Sequence, residues 1–125
     1  MQVGFACLRT YRRGLFLFAQ KTIPLLLDSV ADSQYPPTLL ITGATASIRG
    51  SVRWAAAAAG MNARRAVGQS LAREFGPKGV HVAHAIIDGV IDIPRTKSFT
   101  AVNGGVEDGK ISPDAVSQTV ATFWP

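Results

Sequence analysis

Ser47, His84 and Asp88 have the side-chain types of a nucleophilic triad. A serine attacks an acyl carbon when a histidine takes its proton and a carboxylate orients that imidazole. The neighbours of Ser47 are Thr45, Ala46, Ile48 and Arg49, so the Gly-x-Ser-x-Gly turn that would present the hydroxyl on a sharp elbow is missing. His81 and His84 stand three apart on what reads as a strand, which sends them to opposite faces and argues against a shared metal. Asp88 and Asp92, beside Arg95, read as loop-ordering ion pairs rather than catalytic carboxylates. Cys7 is the single cysteine, so neither an internal disulfide nor a cysteine metal site is expected. A reducing compartment, the cytoplasm, is the default for such a chain.

The elements that must hold these residues follow from periodicity. From Thr10 to about Asp28, apolar residues recur densely enough for a mostly buried helix, with Pro24 set to kink or end it. Residues 31–37 hold Asp32, Ser33 and the Pro36-Pro37 pair and read as a loop. Residues 38–42 (TLLIT) form a continuous apolar run with a β-branched bias, the pattern of a strand covered on both faces. Residues 43–50 read as a Gly/Ser/Thr loop and 52–75 as the longest helix, with alanines at 55–59 and one costly glycine, Gly60. Gly76 and Pro77 stop it, and 80–86 (VHVAHAI) read as a second buried strand. Residues 103–105 and 107–109 read as loop. Ser112-Pro113-Asp114 then combine an N-cap, a first-turn proline and an acid at the positive end of a helix, which breaks off at Trp124-Pro125. Helix, strand, long helix, strand, helix is the order that a parallel sheet with helical crossovers produces, so the class is α/β.

Bulk properties narrow the function. At 125 residues and 47% hydrophobic the chain makes one domain at most and is not disordered. No apolar run approaches the ~20 residues that span a bilayer, because Gln20, Lys21 and Pro24 interrupt the nearest candidate. The net charge of +5 is spread over Arg12, Arg13, Arg49, Arg53, Arg64, Arg65, Lys78 and Lys97 without interleaved aromatics, so no nucleic acid is expected as partner, and no membrane. An acid-free, Arg- and Lys-containing first 27 residues is a weak echo of a mitochondrial presequence, opposed by the lack of Ser there.

The stretch at 69–96, QSLAREFGPKGVHVAHAIIDGVIDIPRT, resembles the short-chain dehydrogenases/reductases where their active-site helix passes into the next parallel strand. Gly14, Phe16, Gln20 and Pro24 match that family's first-helix pattern and put Tyr11 where it commonly has an Asn. The resemblance implies a partial Rossmann-like, doubly wound parallel sheet. It covers the C-terminal half, so residues 1–125 form a single partial NAD(P)-binding domain whose N-terminal dinucleotide-binding half is absent. The activity it implies is NAD(P)-dependent oxidoreduction of a carbonyl or alcohol. In the family a Tyr four residues before a Lys moves the proton, the ammonium stabilising a phenolate whose reference pKa is about 10, and a Ser thirteen residues before the Tyr positions the substrate oxygen. Aligned through residues 69–74, the Ser position is Ala44, the Tyr position Ala57 and the Lys position Met61. No one-residue slip restores the dyad, since no Tyr follows Tyr35 and no Lys lies between Lys21 and Lys78.

Cofactor contacts carried over by the resemblance fall on Thr42, Gly43, Gly89 and Ile91. In the nicotinamide loop Asp88 stands for the family's Pro and Ile93 for its Thr, so binding of NAD(P) by this chain is doubtful. Residues 39–49 also imitate the family's glycine-rich phosphate turn, but Ser47 and Arg49 fill the places of its second and third glycines, where a side chain blocks the pyrophosphate. The late register is favoured. Family members often pair through their first and long helices, so a homodimer through those helices is plausible here, with the alanine run at 55–59 permitting close packing. The expectation is a protein inactive on its own. The alternatives are a non-catalytic interaction or oligomerisation module and a truncated gene product.

Overall fold

A computed structural model describes residues 2–99 and 110–122, with 2–8 and 12 as backbone alone. Two compact units divide the chain, Met1–Ile86 and Ile87–Pro125. The loop expected at 103–109, the break at Trp124-Pro125 and the side chain of Cys7 lie outside the described residues.

The first unit contains helix α1 (Gln2–Asp28), strand β1 (Thr38–Ala44), helix α2 (Ala55–Phe75) and strand β2 (His81–Ile87). Leu15, Ala19 and Ile23, each four apart, form the buried stripe of α1. They pack with Leu39 and Ile41 of β1 and with Val80 just before β2, and Val67, Leu71 and Phe75 of α2 close the cluster. The core therefore lies between one face of the strands and the two helices. Pro24 stays inside α1 and does not end it: the helix continues one further turn, to Asp28. One turn from the terminus, the hydrogen bond lost to proline is among the last the helix makes.

β1 and β2 are neighbours in a two-stranded sheet joined through α2. The His81 amide donates to Pro37 O at 2.9 Å where both strands begin, and Gly43 lies beside His84 further along, so the strands run parallel. Gly68 brings α2 close to the sheet: a Cβ there would sit 2.8 Å from Ile41 Cδ1. At the far end Gly79, with φ of 90°, turns the chain from α2 into β2.

Four expectations need adjusting in this unit, the first being that α1 begins at Gln2 rather than at Thr10. β1 extends to Gly43 and Ala44, which the sequence assigns to a loop. A short 3-10 turn at Val30–Asp32 lies in the expected loop. α2 begins at Ala55 rather than Val52, because Arg53 takes a positive φ of 69° that no right-handed helix can include.

The second unit adds strands that the sequence did not reveal. β3 (Val90–Ile91) pairs in parallel with β4 (Lys110–Ile111). Thr96 Oγ1 ties the turn after β3, donating to Ile91 O and accepting from the Ile93 amide at 3.0 Å. Helix α3 (Pro113–Ala121) starts as its sequence predicts, with Ser112 Oγ accepting from the Asp114 amide at 3.2 Å.

Candidate functional site

The C-terminal end of β1 meets the first half of α2 through a 3-10 turn, Thr45–Ser47. Ser47 is wholly buried, and its Oγ accepts from the Ala44 amide at 3.2 Å, which folds the turn back on the strand. Asn62 fixes the helix against the same turn: its Nδ2 donates to Ala46 O at 2.9 Å and to Ala58 O at 3.0 Å. These two side chains hold Ala44 at the strand end and set the height of Ala57 and Met61, one turn apart on α2. All three are half-buried. None carries a group that can accept, donate or steer a proton.

Beside this trio lies a cluster that the triad reading only half anticipates. A Cβ placed on Gly43 would lie 2.6 Å from His84 Nε2 and 2.9 Å from Ser47 Oγ, so both groups crowd the bare Gly43 backbone. His84 Nε2 and Arg64 Nε are buried and have no hydrogen-bond partner among the described residues. Burial first, then the positive charges of Arg64 and Arg65, hold the His84 imidazole below its ordinary pKa. The imidazole is thus neutral near pH 7. Ser47 already accepts a backbone amide and is shut away from any substrate, so the pair does not make an exposed nucleophile.

Thr42 is exposed, whereas His84 and Ser47 occupy the space where a Cβ on Gly43 would lie. Asp88, Gly89 and Ile91 belong to the second unit, at the entry to β3 and within it. Asp92 forms its ion pair with Lys97 at 2.8 Å and approaches Lys110 at 3.9 Å, which corrects the expected partner, Arg95. The Lys97 hydrogen bond, opposed by some desolvation, lowers the Asp92 pKa and keeps it ionised. The ion pair orders the loop, as a structural carboxylate does. His81 opens β2 and lines a shallow depression with Pro36, Ala72, Gly76 and Val82. Among the described residues no three His, Cys, Asp or Glu side chains gather as a metal site would need. Sequence reasoning missed Asn62 and Arg64. A polar residue beside the Lys position, shortly after the run of alanines at 55–59, was the available signal for the first.

No family model matches the chain, and no curated protein does. Among solved structures it is similar to a short-chain dehydrogenase from Rhodopseudomonas palustris, with 28% identity and a TM-score of 0.61. The match covers 89% of this chain and 51% of that one. The chain thus spans about half the length of the structure it matches, and over that span its α/β fold is like that of a short-chain dehydrogenase.

Proposed function

We propose that this chain is a short-chain-dehydrogenase-like protein that does not transfer hydride by itself and works through association. One observation carries the reading: Ala44, Ala57 and Met61 occupy the places where the resembling family keeps the Ser, Tyr and Lys that handle the proton. Hydride transfer to a carbonyl leaves an alkoxide, and a site with no proton donor does not stabilise it. The crowding over Gly43 and the carboxylate at Asp88 speak against a retained dinucleotide as well. The test is a titration of the purified chain with NADH and NADPH, followed by turnover on a panel of aldehydes, ketones and alcohols. The expected result is no turnover and no saturable binding; robust turnover would overturn the proposal.

The surface of the helices supports association with a second copy. Phe16, Phe18 and Leu25 of α1 are exposed, and a groove between α1 and α2 is lined by Phe16, Ile23, Pro24, Leu71 and Phe75. Apolar side chains of this size along one helix are the raw material of a helix-to-helix interface.

A further inference from the structure

We propose that the loop at 48–54, between β1 and α2, docks the protein on an anionic lipid surface. Seven residues, Ile-Arg-Gly-Ser-Val-Arg-Trp, hold three large apolar side chains and two arginines. All three apolar residues project: Val52 is 88% exposed, Trp54 59% and Ile48 52%. Arg49 and Arg53 alternate with them and are exposed too. Apolar tips that enter the acyl boundary, an indole suited to the headgroup level and guanidinium groups among phosphates are what a peripheral membrane contact combines.

Charge argues for an anionic surface in particular. No Asp or Glu occurs between Asp32 and Glu74, a stretch that holds Arg49, Arg53, Arg64, Arg65 and Arg73. Through Ile86 the chain has ten Lys and Arg against three Asp and Glu, so the unit bearing the loop is net +7. The backbone adds an independent sign. Arg53 is the one non-glycine residue with positive φ among those described, and strain of that kind is kept where a loop has a task. The expectation of no membrane partner rests on the lack of a spanning segment, and indeed no described helix is long and apolar enough to cross a bilayer. Surface docking needs no such helix.

The experiment is co-sedimentation of the full chain with vesicles of phosphatidylcholine alone and of phosphatidylcholine with phosphatidylglycerol. Tryptophan emission is read in parallel in a Trp124→Phe background, which leaves Trp54 as the single indole. Expected are binding to the anionic vesicles alone, a blue shift of Trp54 on binding, and loss of both at high salt. Arg53→Gly suits the positive φ and so keeps the fold; it lowers partitioning about five-fold. Val52→Asp lowers it about ten-fold or more. Equal binding to neutral vesicles, no binding, or binding that neither moves Trp54 nor responds to Val52→Asp would overturn the proposal. So would a Trp54 blue shift that follows protein concentration without vesicles, since the loop would then be an interface between copies.

Discussion

Gly43, Ser47 and His84 come together only because β1 and β2 lie side by side, and the first of them has no room for a larger residue. In Gly43→Ala the new methyl lies 2.6 Å from a histidine nitrogen and 2.9 Å from a buried hydroxyl. The imidazole or the turn must shift, and overpacking of this kind costs about 1–3 kcal/mol. Urea unfolding followed by circular dichroism should show the lower midpoint; an unchanged midpoint would mean the cluster is looser than its geometry. His84 also makes a pH prediction. Its folded pKa is held below the 6.5 of a free histidine, so the native state binds fewer protons than the unfolded one. The stabilisation is complete above 6.5 and is lost as pH falls through the folded pKa. Protonation must place a third positive charge beside Arg64 and Arg65 with no acceptor at Nε2. A proton NMR titration should give His84 an acid-shifted midpoint. In His84→Gln the loss of stability between the histidine and carboxylate ranges should flatten, and an identical slope in both proteins would refute the assignment.

Elements were legible in proportion to how local their causes are. The stripe Leu15, Ala19, Ile23 announces α1, and the apolar runs announce both long strands, because each pattern repeats within one element. The start of α2 was not legible: a positive φ at Arg53 has no signature in an arginine, and the alanines that follow favour helix on either side of the true start. β3 and β4 have two residues each and pair across a long gap in sequence, so no periodicity betrays them. The candidate site divides the same way. Ala44, Ala57 and Met61 follow from the resemblance to the short-chain dehydrogenases/reductases, aligned through residues 69–74. The burial of Ser47 and its meeting with His84 depend on which strand edge faces which, and that is a tertiary fact. The missing elbow around Ser47 already speaks against a nucleophile, and its complete burial gives a second, tertiary reason that no local pattern carries.

The two units differ in what holds them together, and this should be visible in how they open. The first has a contiguous core from α1, β1 and β2, with Ile41 and Val80 each 1% exposed. The second, among its described residues, buries no side chain fully. It rests on a two-residue parallel pairing, the Thr96 turn, the Ser112 cap and the Asp92–Lys97 ion pair. Exposed ion pairs and short ladders contribute little against chain entropy, whereas buried aliphatic surface contributes much. Segments with few buried contacts open at lower free energy than the core. Hydrogen exchange by mass spectrometry under a series of urea concentrations tests this directly. Peptides covering 90–99 and 110–121 should lose protection well before those covering 38–44 and 80–86. Higher salt should weaken the former further, because screening removes the Asp92 pairing and leaves the aliphatic core unchanged. Coincident loss of protection in all four segments would instead mean that the second unit draws its stability from the first.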